Sequence, residues 1–185
     1  MKNRQVRELM VPIADYATIH AEATIGEAIL ALENENRSHG DKPYRHHSLV
    51  VIDADRHVVG RLSQIDIMHA LEPRYSELGD ARWIGQSVFS RSALVALREK
   101  FQLWEQPFED MCRIMGDVHV RDFMQIPTEG EFVDETDTLN VAIHRIVMGR
   151  HHSLLVTRGK EIVGILRSTD LFNTFYEMLA ACKAL

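Results

Sequence analysis

Residues 46–66 read HHSLVVIDADRHVVGRLSQID, and residues 151–170 read HHSLLVTRGKEIVGILRSTD. Each stretch opens on His-His-Ser-Leu, passes through an apolar run, turns, and enters a second apolar run that carries Val-Gly. Two runs rich in branched residues, joined by a short turn, read as a β-hairpin. Each stretch ends on an aspartate, Asp66 or Asp170, that stands at a plausible N-cap of a following helix, SQIDIMHAL or RSTDLFNTF.

Moving upstream, the duplication continues. Thr24-Ile25-Gly26-Glu27-Ala28 matches Thr138-Leu139-Asn140-Val141-Ala142, and Val6-Arg7-Glu8-Leu9-Met10 matches Val120-Arg121-Asp122-Phe123-Met124. The blocks keep their order and only the connections differ, which marks a duplicated unit. The first copy carries nine extra residues, about Asn36 to Tyr44, with the composition of a surface loop. Ile25, Ala28, Ile29 and Leu32 in one copy, and Leu139, Ala142, Ile143, Ile146 and Val147 in the other, fall at helical spacing after Thr24 and after an Asp137-Thr138 cap. A short strand precedes each helix, near Thr18-Ile19-His20 and Phe132-Val133. Each unit is therefore β-α-β-β-α, and the expected fold class is α/β of the α+β type.

The boundaries follow: residues 1–71 form repeat one, 72–119 an insertion, and 120–185 repeat two with a C-terminal helix. In the insertion, Ser92 to Met115 reads as helix interrupted at Pro107, with an apolar stripe of Leu94, Leu97, Phe101, Trp104, Phe108, Met111, Ile114 and Met115. Such a stripe packs on its own repeats or on a partner chain. The Trp83 and Trp104 stretch reads as packing or a dimer surface.

Composition narrows the function. The chain has 185 residues, 45% of them hydrophobic, enough for one ordinary core or two small fused subdomains. A formal net charge of −6 argues against general nucleic-acid binding, which needs a basic surplus to neutralise phosphates. Cys112 and Cys182 stand outside any CxxC spacing and read as reduced, buried thiols. The first residues lack the apolar core of a signal peptide, and the apolar runs are too short to cross a bilayer, so a cytoplasmic protein with no membrane contact is expected. No G-x-S-x-G, P-loop, G-x-G-x-x-G or H-E-x-x-H is present, and no enzyme activity is expected. The His46-His47 and His151-His152 pairs invite a metal reading. Adjacent residues on a strand face opposite ways, so a pair does not chelate one ion, and no metal site is expected.

The VRxxM opening, the T-h-x-x-A helix start, the H-S-L-x-V strand and the G-h-h-x-x-x-D ending, each present twice, resemble a CBS-domain pair, or Bateman module. The resemblance covers about residues 6–71 and 120–178. It implies two repeats packed sheet to sheet with pseudo-twofold symmetry and a regulatory ligand in clefts between them: AMP, ADP, ATP or S-adenosylmethionine, with no catalytic cofactor. It implies that Asp66 and Asp170 hold ribose hydroxyls and that Ser63 holds phosphate. Thr18, Ile19 and Val133 on the first strands, with Leu49 and Leu154 on the H-S-L-x-V strands, would sandwich the adenine, and His47 and His152 would lie near adenine or phosphate. Repeat two departs from the pattern: Arg167 stands where Ser63 stands, followed by Ser168 and Thr169. Arg167 either pairs with a phosphate through its guanidinium fork or closes that cleft. Independently of the resemblance, Ser, Thr and Arg at a helix start sit beside free backbone N–H groups that favour anions. The expected partners are an adenine nucleotide, a second copy of the chain and an unknown regulated protein. The alternative is a structural dimerisation module with degenerate clefts.

Overall fold

The structure, a computed structural model, describes residues 4–38, 47–78 and 90–183. His46, Trp83 and most of the nine-residue insertion lie outside them.

Repeat one comprises β2 (Thr18–His20), α1 (Ile25–Ser38), β3 (Ser48–Ile52), β4 (Val58–Ser63) and α2 (Gln64–Leu71), after a two-residue strand β1 (Val11–Pro12). Two helices follow, α3 (Arg91–Phe101) and α4 (Phe108–Asp117). Repeat two comprises β5 (Phe132–Asp134), α5 (Leu139–Gly149), β6 (Ser153–Arg158), β7 (Glu161–Arg167) and α6 (Ser168–Lys183). The β-α-β-β-α order holds in both copies, and Pro107 caps α4 where the helical pattern breaks. One boundary differs: α1 continues to Ser38, through the first residues read as loop, with Arg37 Nε donating to Glu33 one turn back at 2.9 Å.

The hairpins explain themselves by alternation. In β3, Leu49 and Val51 join the cluster under the helices of repeat one, whereas Val50 and Ile52 join a second cluster with Leu155 and Ile165 of the other repeat. In β6, Leu154 and Val156 likewise face the helices of repeat two. A strand buried on both faces needs an unbroken apolar run, which is what SLVVI and SLLV supply. The cluster of Tyr16, Val50, Ile52, Leu155 and Ile165 is the layer that joins the two sheets.

The two VRxxM openings trade places. β1 pairs antiparallel with β7, so the sheets are β2-β3-β4 and β1-β7-β6-β5. Val6 is fully buried in the core of repeat two, and Val120 in the core of repeat one. The Val6 N–H donates to the Asp137 carbonyl at 2.9 Å, and the Val120 N–H to the Ala23 carbonyl at 2.8 Å. The glycine of each Val-Gly pair accepts the incoming segment. A Cβ at Gly60 would lie 2.8 Å from Met124 Sδ, and one at Gly164 would lie 2.8 Å from both Met10 Sδ and the Val11 carbonyl oxygen. The methionine ending one repeat's opening thus rests on the glycine of the other.

The insertion docks on repeat one through α4 and the turn after α3. α4 packs on α1 and α2. The turn after α3 is held by Glu72, whose side chain is fully buried. Its carboxylate accepts from Arg74 Nε at 2.7 Å, from Arg74 Nη2 at 2.9 Å and from the Trp104 N–H, and Trp104 Nε1 donates to Tyr75 at 3.1 Å. The apolar stripe is only partly covered, because Leu94, Trp104 and Phe108 stay exposed. Cys112 and Cys182 are free, but both are exposed rather than buried. Cys112 sits one residue past Met111 and thereby points away from the half-buried Met111, Ile114 and Met115 side of α4.

Candidate functional site

Both hairpins deliver their second strand directly into a helix, and the two helix starts face one cavity between the repeats. The cavity measures about 420 Å³. Repeat one lines it with His47, Ser48, Arg61, Ser63, Gln64 and Ile65; repeat two answers with His152, Ser153, Arg167, Ser168 and Thr169. Tyr16 and Gln125, from the two crossing segments, complete the wall. Among the described residues, two arginines and two histidines contribute to this lining and no carboxylate does. A second hollow of about 520 Å³ adjoins it, sharing Arg61, Gln125 and His152 and adding Arg150, His151, Thr128 and Glu131.

The aspartates stand directly behind this wall, and neither is an N-cap. Ser63 caps α2: its Oγ accepts from the Asp66 N–H at 3.3 Å, while Asp66 Oδ2 accepts from the Ser63 N–H at 2.7 Å and from its Oγ–H at 2.5 Å. This is a capping box with aspartate in the third helical position. Asp66 Oδ1 accepts from Gln125 Nε2 at 2.7 Å. At the start of α6, Asp170 takes the same place, but Arg167 closes on it. Nε donates to Oδ2 at 2.8 Å, Nη2 donates to Oδ1 at 2.6 Å, and the Arg167 N–H donates to Oδ2 at 3.2 Å. Hydrogen bonding to Asp170 raises the Arg167 pKa above its ordinary value.

Arg61 bridges the repeats. Its guanidinium donates to Ser153 Oγ at 3.0 Å and to Glu131 Oε1 at 2.8 Å. Burial pushes the Glu131 carboxyl up, but the Thr128 N–H and the Arg61 charge outweigh it and hold the group below the ordinary range. Burial raises the Tyr16 phenol, whose oxygen lies 3.3 Å from Ser48 Oγ.

Of the residues singled out in the sequence, Ser63, His47, His152, Arg167, Ser168 and Thr169 line one cavity. Asp66 and Asp170 lie one hydrogen bond behind it. Leu49, Leu154 and Val133 are buried core residues, Ile19 packs against the core of repeat one, and Thr18 is exposed on β2; none of the five lines the cavity. Tyr16, Arg61 and Gln125 were not anticipated. The exchange of crossing segments brings Tyr16 and Gln125 in, and Arg61 occupies a strand position with no motif of its own.

The CBS domain profile matches residues 6–73 and 116–177, in two copies that together cover most of the chain. The chain belongs to the CBS-domain family. Among solved structures, this CBS pair is similar to a CBS domain-containing protein of unknown function from Bacillus anthracis, at 12% identity and a TM-score of 0.62, covering 95% of both chains. It is similar to the CBS domain of a CBS domain-containing membrane protein from Sphaerobacter thermophilus, at 14% identity and a TM-score of 0.60, covering 93% of this chain and 88% of that one. It is also similar to CBSX2, solved in complex with AMP, at 15% identity and a TM-score of 0.58, covering 95% of this chain and 98% of that one. Among curated proteins, none matches the sequence. At these identities the neighbours establish the two-repeat CBS fold. Among the described residues, no helix is long and apolar enough to cross a membrane.

Proposed function

We propose that this CBS pair is a regulatory module, not an enzyme, that binds an adenine nucleotide in the cavity between its repeats. The observation that carries the reading is the lining itself: two helix starts with Arg61, Arg167, His47 and His152, and no carboxylate among the described residues, enclosing about 420 Å³. That volume suits a small organic ligand, and the helix starts and guanidinium donors suit phosphate. The carboxylates behind the wall suit ribose, whose vicinal hydroxyls can donate to one carboxylate. The AMP held by CBSX2 supports the same class of ligand. Arg61 and Arg167, each paired with a carboxylate, still offer N–H donors along the wall, which suit the phosphates of AMP, ADP and ATP better than S-adenosylmethionine, which carries none.

A ligand here touches both repeats. It stabilises whichever relative packing of the repeats closes the cavity, and it shifts that equilibrium only by its differential affinity. The readout is a second copy of the chain and a regulated protein. The homodimer surface is the outer face of α6, where Phe172, Phe175, Tyr176 and Leu179 recur at helical spacing and are all exposed.

One observation favours a second reading, a structural dimerisation module with degenerate clefts: both aspartates already have partners within the chain. Thermal unfolding with AMP, ADP, ATP, S-adenosylmethionine and GTP separates the two. A ligand at about 100 times its Kd adds roughly 2.7 kcal/mol of stability, a rise of about 5–10 °C in a chain of this size. A rise with adenine nucleotides alone is expected. No rise with any of the five favours the structural module.

A further inference from the structure

We infer that the two halves of the cavity are unequal: Asp66 is the carboxylate that receives the ribose, Gln125 is the displaceable side chain that holds its place, and Asp170 is locked by Arg167. This rests on the nucleotide reading above and assigns its orientation and stoichiometry.

The two aspartates occupy equivalent positions but have partners of different kinds. Asp66 Oδ1 is held by one hydrogen bond from a neutral carboxamide, Gln125 Nε2 at 2.7 Å. Gln125 is exposed, and its main chain is pinned independently. Its N–H donates to the Arg61 carbonyl at 2.8 Å, and its carbonyl accepts from the Arg61 N–H at 3.0 Å. Rotation of the Gln125 side chain alone therefore frees Oδ1 without moving backbone, and water solvates the released amide. Oδ2 stays engaged with Ser63, which keeps the carboxylate aimed.

Asp170 offers no such exit. Its two oxygens receive both arms of the Arg167 fork, at 2.6 and 2.8 Å, and the two side chains are only 13% and 19% exposed. Two charge-assisted bonds between opposite charges are stronger than a single bond from a neutral amide. Opening the fork would leave two half-buried charges unpaired, which costs more than releasing an exposed amide. Arg167 still lines the cavity. A nucleotide with its ribose on Asp66 can reach it with phosphate while the Asp170 pair remains closed.

Isothermal titration of the full chain with AMP tests this. One AMP per chain is expected. Gln125→Ala, which removes the competing donor, is expected to tighten binding about tenfold, since one hydrogen bond to a charged group is at stake. Asp66→Asn is expected to weaken binding about thirtyfold or more, and Asp170→Asn by clearly less. An unchanged Kd in Gln125→Ala, two AMP per chain, or a larger loss in Asp170→Asn than in Asp66→Asn would overturn the asymmetry while leaving the nucleotide reading intact. Absence of binding of AMP, ADP and ATP to both the wild type and Gln125→Ala would overturn the nucleotide reading itself, and the asymmetry with it.

Discussion

At position 164 the space for a side chain is already taken. A Cβ there would meet the Val11 carbonyl oxygen and Met10 Sδ, each at 2.8 Å. Gly164→Ala is therefore expected to destabilise the fold by about 1–3 kcal/mol in urea unfolding, because the opposing backbone has no room to yield. Gly116→Ala in α4 meets nothing within 4 Å and serves as the control; it should leave stability unchanged or slightly raised. Leu154→Ala, in the sealed core of repeat two, should cost about 2–5 kcal/mol. At this scale the sequence showed which residues recur but not always what they do. Asp66 and Asp170 were visible as a matched pair, with a ribose role implied by the resemblance, yet were placed at the N-cap, which Ser63 occupies in α2. The spacing places a Ser or Arg three residues earlier, and either side chain, or the backbone N–H, can close the box onto the aspartate. Only the geometry tells which atom donates.

The elements were nearly all legible, since buried strands demand the apolar runs and the helices carry their periodicity. The exchange of the VRxxM segments was not. Both copies offer the same valine, the same methionine and the same receiving glycine, so either segment satisfies either groove, and the choice is made by chain connection and by packing between sheets. Tyr16 and Gln125 reach the cavity only through that exchange, which is why no motif announced them. Two predictions belong here. Glu72→Ala should free the turn after α3, because the fully buried carboxylate is the shared acceptor of Arg74 and Trp104. Loss of a buried paired charge costs about 3 kcal/mol or more, and hydrogen exchange should rise first around residues 101–106. Phe172→Asp, on the exposed apolar face of α6, should leave the fold intact and shift the molecular mass measured by light scattering from dimer to monomer; an unchanged mass would reject that face as the contact.

Across the whole molecule, two of the carboxylates held below their ordinary values join separate parts of the chain. Burial pushes Glu72 and Glu131 up, but Arg74 in the first case, and Thr128 with Arg61 in the second, bring both below their ordinary values. A carboxyl with a depressed folded pKa contributes stability that is present above its unfolded value and lost as pH falls through the folded one. Unfolding midpoints should therefore hold steady down to about pH 5 and then drop, and Glu131→Gln should start lower and show a shallower drop. The cavity was half legible in the sequence. Ser63, Arg167, Ser168, Thr169, His47 and His152 lie on matched strand ends and helix starts, and the resemblance to a CBS pair implied a ligand role for all of them. Leu49 and Leu154 follow the two histidines but alternate inward, Val133 lies on β5, and the core claimed all three. That cavity is the proposed seat of the adenine nucleotide. Photolabelling with 8-azido-AMP, followed by peptide mapping, tests this most directly. The predicted result is label on peptides containing Tyr16, His47–Ile65, Gln125 or His152–Thr169, suppressed by excess AMP. Label confined to α3 and α4, or unaffected by AMP, would contradict a nucleotide site in the cavity.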